Sequence, residues 1–335
     1  ATRSVNNIVI GYHASYTHYD GGSNVVIGTE AVKGIGNHTQ ASVYIGESSG
    51  QNVASGSYNV AVGGYTGRFA TGSYQTFVGY KAGTGGNTSA PFNSGQYNTA
   101  IGYEALTGFT TGGTNVAVGY QAGRVVTTAT NNTLVGPYAG YDLTTGTGNT
   151  LIGSEADGNN ETGGYNTIIG YQAAAGAHGS SHNSTVAIGY RAAFTLTTGN
   201  DNVAIGQSAL QTVTTSTRNV AVGTTAGYAG GGTGYNVYMG YEAGKQHIGG
   251  NVVHIGSEAG QNASGSSNTF VGYQAGQGGT TSAPYSSGTA NTAVGYNTLM
   301  SFTTGQQNTI VGSYAGDAIT TGNYNTFLGS GAGGA

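Results

Sequence analysis

An all-β fold, a parallel β-solenoid or β-roll, is what this sequence predicts, and three observations predict it. A five-residue phrase returns nineteen times, generally polar, then β-branched, apolar, aliphatic and Gly, from Asn7-Ile8-Val9-Ile10-Gly11 to Asn325-Thr326-Phe327-Leu328-Gly329. It recurs about every 17 residues, too short for a globular subdomain and right for one coil stacked on the last. Composition agrees: 65 Gly and 25 Tyr stand against 8 Lys and Arg and 12 Asp and Glu in 335 residues. Length alone suggests two domains. The repeat runs from end to end without a compositional break, so 1–335 reads as a single β-solenoid domain of about 19 coils.

We take the Gly that closes each phrase as position zero of its coil. Spacings between these glycines are 16 to 19 residues except for two of 23. Position minus three is Val, Thr or Ile throughout, and position minus one is aliphatic or Met, as in Ile10, Val78, Met239 and Leu328. β-Branched residues suit a pleated strand, and the period-two rule puts these two positions on one face. Their apolar character predicts that they fill the coil. Position minus two then points outward, and it is apolar too: Ala in seven coils, and Tyr44, Phe77, Tyr238, Phe270 and Phe327 in five. An apolar outward stripe needs a cover, so those five aromatics are the candidate subunit interface of an oligomer.

Past the Gly, position plus three is Ala in 16 of 19 coils, small enough for close packing. Position plus two carries seven charged residues, among them Lys81, Glu104 and Glu242, and is expected to face solvent. Thr-Thr-Gly near plus ten, as in Thr110-Thr111-Gly112, turns the chain back toward its next strand. Asn stands at minus four in 15 coils, either as a turn former or as a stacked hydrogen-bonded ladder.

A second order of repetition lies above the coil. Ser89-Ala90-Pro91-Phe92-Asn93-Ser94-Gly95 and Ser282-Ala283-Pro284-Tyr285-Ser286-Ser287-Gly288 occupy the two 23-residue spacings, 193 residues apart. The surrounding sequence matches, so a block of eleven coils is duplicated. The extra residues near 84–97 and 277–290 should bulge outward, since stacked strands leave them no room inside. Pro91, Phe92, Pro284 and Tyr285 are the candidate receptor-contact residues, an aromatic held beside a restricted Pro.

Chemistry-bearing motifs are sparse. Cysteine is absent, which excludes disulfides and thiolate metal sites. The net charge is -4 with scattered basic residues, unlike the basic face of a nucleic-acid binder, and no apolar run is long enough to span a membrane as a helix. Glu242 and Glu258 occupy the same position in adjacent coils, roughly one strand spacing (~5 Å) apart, about the carboxylate separation of a retaining glycosidase. Two solvated carboxylates beside Lys245 are the plainer account. His178 and His182 have no helix to align them on a metal, and Asp157-Gly158-Asn159-Asn160-Glu161 lacks the spaced acidic ligands of calcium loops. Neither an enzyme activity nor a cofactor is expected. Tyrosines at plus one in nine coils and at minus five in six predict stacked ladders, with exposed rings able to contact sugars.

The phrases Asn115-Val116-Ala117-Val118-Gly119-Tyr120-Gln121-Ala122-Gly123 and Asn202-Val203-Ala204-Ile205-Gly206-Gln207-Ser208-Ala209 resemble the head repeats of YadA-type trimeric autotransporter adhesins. They are similar to repeats of phage tail fibres as well. The resemblance covers nearly the whole chain and implies a left-handed roll, three chains together, outside a cell or virion. The family's coil is generally shorter, and this segment carries neither its stalk nor its anchor. The absence of polar caps at either end leads us to expect an excerpt of a longer fibre.

The function expected is therefore an extracellular structural and adhesive fibre, a phage tail fibre or cell-surface adhesin head. It would be a homotrimer presenting a surface to a cell-surface glycan or receptor protein. The alternatives are an ice-binding β-solenoid, which the inward placing of the minus-three Thr column counts against, and a polysaccharide-degrading tailspike.

Overall fold

The computed structural model describes residues 6–16, 21–34, 39–53, 55–86, 93–230 and 232–334. By its contacts the chain divides into two compact units, Ala1–Asn166 with His178–Ser181, and Thr167–Ala177 with His182–Ala335. Among the described residues the first holds nine three-residue strands, from Ile8–Ile10 to Thr150–Ile152, and the second holds ten, from Thr167–Ile169 to Thr326–Leu328. Within each unit every strand pairs in parallel with the next. Val116, Ala117 and Val118 face Thr133, Leu134 and Val135 in the first unit, and Val203, Ala204 and Ile205 face Val220, Ala221 and Val222 in the second. Every strand is the minus-three to minus-one segment of its phrase, so the repeat read from sequence is the structural repeat. Among the described residues there is no helix, and so none long and apolar enough to cross a membrane.

Hydrogen bonds between coils continue around the turns. Gly119 N–H donates to Ile101 (2.8 Å), Gln121 N–H to Tyr103 (2.8 Å) and Leu106 N–H to Ala122 (3.0 Å). The zero-position Gly is fixed by this stacking. At Gly119 φ is +142°, and a Cβ would lie 2.5 Å from the carbonyl oxygen of Gly136 one coil on. No other residue escapes both the strain and the collision, which accounts for an unbroken Gly column.

One expectation is reversed. The minus-two side chains point into the coil: Val26, Ala61, Ala117, Leu134, Ile168, Ala204 and Ile310 are all buried. Positions minus three and minus one lie outside, half-buried or exposed in every coil. The period-two rule grouped the positions correctly, and hydrophobicity then chose the wrong face. A coil of 17 residues encloses a narrow space, filled from minus two, from Ala at plus three and from a further column at plus seven. In several coils the plus-seven residue complements minus two in size. Ala100 is paired with Phe109, Ala187 with Leu196 and Ala293 with Phe302, whereas Phe77 is paired with Gly86 and Phe270 with Gly279. The relation is confined to some coils, since Leu134 is paired with Leu143, Ile310 with Ile319 and Ala61 with Ala70, so it does not by itself identify the interior.

The Asn column at minus four is buried and forms ladders. Asn132 Nδ2 donates to Asn115 Oδ1 (3.0 Å) and to the Gly146 carbonyl (3.0 Å), and its backbone N–H also reaches Asn115 Oδ1 (3.1 Å). Asn219 and Asn236 repeat the pattern in the second unit, as do Asn291 and Asn308. One side chain therefore ties successive coils together and caps a turn carbonyl across the coil, so both readings of Asn hold.

Candidate functional site

The five aromatics expected at a subunit interface belong to the interior. Tyr44, Phe77, Tyr238 and Phe270 are no more than 2% exposed, and Phe327 is half-buried against Ile310 and Ile319. Side chains consumed by their own coil cannot present a contact surface. The interface assignment is corrected for a simple reason: the stripe that lacks a cover is the other face of the same strands. Val60, Val78, Ile101, Val116 and Ile152 in the first unit, and Ile205 and Met239 in the second, are each more than a third exposed. In nine coils the minus-three member of this stripe is Thr, including Thr133 and Thr150, and elsewhere it is Val or Ile.

Tyrosines form the second outward feature. Tyr103 stacks on Tyr80 at 5.6 Å and on Tyr120 at 5.1 Å between ring centroids, and Tyr74 stacks between Tyr58 (5.1 Å) and Tyr97 (5.2 Å). In the second unit Tyr273 stacks on Tyr296 at 5.2 Å. Offset stacking at one coil spacing follows from parallel register, because equal positions in successive coils lie side by side.

Charged groups are gathered at plus two and its neighbours. Glu104 lies 3.6 Å from Lys81 Nζ and 3.1 Å from Arg124 Nε, and accepts from Gln121 Nε2 at 2.9 Å. Burial pushes its carboxyl up, but the hydrogen bonds from Gln121 and Arg124 and the two cations outweigh this and hold it below the ordinary value. Glu242 is engaged by Lys245 (2.7 Å) and by Gln261, and Glu258 by Gln274 (2.8 Å) and Gln277 (2.9 Å). Burial raises the Glu242 pKa and the Lys245 and Tyr241 hydrogen bonds more than reverse it, so it ends lowered. A glycosidase acid needs the opposite shift to hold its proton.

Of the loop candidates, Pro91 and Phe92 lie outside the described residues. Residues 281–284, with Pro284 among them, are exposed and Tyr285 is half-buried. The wall resumes at Ser286, which bridges Ala263, just as Asn93 bridges Ala70. His178 is exposed with Nδ1 2.5 Å from Asp142 Oδ2, whereas His182 is fully buried. Asp157 is buried and accepts from Asn160 Nδ2 (3.0 Å), closing the oxygen-rich turn on itself. Among the described residues no three His, Asp or Glu side chains gather as a metal site would require. No protein-family model matches this chain, and no curated protein matches it.

Proposed function

We propose that the chain is a structural and adhesive segment of an extracellular homotrimeric fibre. The observation that carries this reading is the outward stripe of Val, Ile and Thr on every strand. β-Branched side chains at one coil spacing make a largely aliphatic strip on each unit, of a kind that proteins cover. A second and third copy of the same strip would do so, since identical coils present identical spacing. The resemblance to trimeric adhesin and tail-fibre repeats supplies the number three, and the ladders of exposed tyrosine supply a surface for binding. In solution the mass should be three times the 33.3 kDa chain. Replacing Ile152 and Ile205 by Asp should dissociate it without unfolding the coils, because both side chains point outward. A single-chain mass for the unaltered protein would overturn the trimer.

The outward Thr column also favours a second reading, an ice-binding surface, which the expected inward placing had counted against. Thr76 and Thr99, or Thr133 and Thr150, place their side chains at strand spacing beside Val or Ile. Thermal hysteresis at micromolar protein would support it, and its absence would leave the fibre reading alone.

A further inference from the structure

The duplicated blocks provide an internal control for which side chains the coil requires. In the first block Phe77 and Phe109 pack at 5.8 Å, and Phe270 and Phe302 do so at 5.5 Å in the second. The stacked Tyr80–Tyr103 pair is retained as Tyr273–Tyr296. The charges between them are not retained. Lys81, Glu104 and Arg124 correspond, 193 residues on, to Gln274, Asn297 and Asp317. The same coil is built either way, so the charged trio is not demanded by the fold.

That trio lines a surface cleft of about 420 Å³ in the first unit, together with Thr84, Thr107 and Gly108. Glu104 is only 8% exposed and forms the floor. It draws both cations toward one place, Lys81 at 3.6 Å and Arg124 at 3.1 Å. Neither cation is exhausted. Arg124 spends Nε on Glu104 and Nη1 on the Tyr141 hydroxyl (2.8 Å), which leaves Nη2 without a partner among the described residues. Lys81 donates no hydrogen bond to the described residues and rests over the Tyr80 ring, 5.3 Å from its centroid. The hydroxyls of Thr84 and Thr107 donate to backbone carbonyls at 2.8 and 2.7 Å and so face the cleft as acceptors. The stacked tyrosines 80, 103 and 120 are each one residue before a plus-two position of these coils.

We propose that this cleft binds an acidic saccharide, with Lys81 and Arg124 taking the sugar carboxylate and Glu104 positioning both. Two cations over one buried carboxylate leave one surplus positive charge, on a chain whose net charge is -4. A guanidinium with a free NH2 suits a carboxylate oxygen. Threonine oxygens suit sugar hydroxyls, and an apolar ligand would find only Val125 as an aliphatic partner. This deepens the adhesive half of the fibre reading, by naming the class of ligand, and rests on it for its biological setting.

The test is calorimetric titration of the full chain with trigalacturonic acid, its methyl ester, neutral galactotriose and sodium sulfate, with the mass measured on the same sample. The acid trimer should bind at about 1 mM or tighter. The ester and the neutral trimer should bind about tenfold more weakly or not at all. K81Q with R124Q should remove the acid preference and leave the coils folded, with some lowering of the melting temperature because Glu104 loses both cations. Equal binding of acid and ester, indifference to the double substitution, or no binding at roughly 10 mM would overturn the site. Sulfate competing as well as the trimer would reduce it to an anion site and overturn the saccharide. A trimeric protein that fails to bind sinks this site alone, and a single-chain protein that binds sinks the fibre alone.

Discussion

Two equivalent stretches of the duplicated blocks have the same coils and different interiors. In the first unit Tyr44, Ala61 and Phe77 follow one another at minus two, and in the second Tyr238, His254 and Phe270 do. Val53 at plus seven becomes His247, and Asn59 at minus four becomes Val252. Where the first unit has Ala61 there is a small void of about 10 Å³, lined among others by Tyr44, Val53, Ala61 and Phe77. Where the second has His254, the imidazole fills the space and stacks on Phe270 at 5.0 Å between centroids. It also meets His247 edge to face at 5.3 Å. The difference teaches that the Gly column and coil-to-coil backbone bonds set the coil, while the enclosed chemistry varies within a fixed volume.

The largest effect should be the same in both stretches. Phe77→Asp and Phe270→Asp each place a charge among fully enclosed side chains, where no water or partner compensates it. Each should cost about 4 kcal/mol or more and unfold its own unit, read as loss of amide protection. Preserved folding with a changed mass would return these residues to an interface and break the comparison.

Acid should separate the two. Burial pushes the His247 imidazole down to about 4, only partly offset by hydrogen bonds to Ala263 and Gly249, and burial with the neighbouring His247 holds His254 well below the usual value. In the unfolded chain both titrate near pH ~6.5. Since the folded values are the lower ones, the unfolded state binds protons first. The stability is therefore whole above about pH 6.5 and is lost as pH falls toward 4. His247 alone would withdraw about 3 kcal/mol across that window. Hydrogen exchange between pH 7 and 5, above the carboxylate range, should loosen the coils around His254 and spare those around Ala61. His254→Ala should be destabilising at pH 7, where the ring packing on Phe270 is lost although neither ring nitrogen had a hydrogen-bond partner, and less costly or stabilising at pH 5. Equal acid response in the two stretches would refute this.

How much of this was legible in the sequence depends on the column. The zero-position Gly recurs in every coil, Asn at minus four in 15 and Ala at plus three in 16, each in a constant setting, so their repetition revealed the coil and its boundaries. The surplus residues ahead of Ser286 were legible as a longer spacing between two glycines. The facing of the strand was misread, because Val, Ile and Thr at minus three and minus one look like core by composition. They are constant because each sees the same outer neighbour. The true interior at minus two and plus seven varies from Ala to Phe and Tyr, so no constant residue type marks it. The cleft at Glu104 escaped because its three charges come from three successive coils and look like scattered surface residues in a linear reading. Lys81 and Glu104 read as two charges at plus two, expected to face solvent.

A smaller effect tests the ladder. Asn59 Nδ2 donates to the Gly72 carbonyl (3.0 Å), and its Oδ1 accepts from the Gln75 N–H (2.9 Å), whereas Val252 in the equivalent coil has no side chain for either task. Asn59→Val should cost about 1–3 kcal/mol, the penalty for buried backbone groups left without partners. Chemical denaturation with unchanged slope would measure it. A cost near zero would mean that coils of the first unit close without the ladder, as the coil of Val252 does.

The smallest effect would come from filling the void. Ala61→Val adds two methyl carbons beside Tyr44 and Phe77, next to a space of about 10 Å³ that now contacts nothing. Each buried carbon contributes up to about 0.8 kcal/mol if it fits, and overpacking removes 1 kcal/mol or more if it does not. The space is near the size of one methyl group, so one branch should fit and the second must displace the Phe77 ring slightly. We expect a net gain of about 0.5–1 kcal/mol, seen as a small rise in the denaturation midpoint. The equivalent change in the second unit, His254→Val, gives the sharper contrast. It exchanges an aromatic ring for a smaller side chain, losing the stacking on Phe270, and removes a group that acid would charge. At pH 7 the two Val substitutions should therefore have opposite signs, and at pH 5 the same sign. Agreement at both pH values would show that volume alone, and not imidazole chemistry, distinguishes the two stretches.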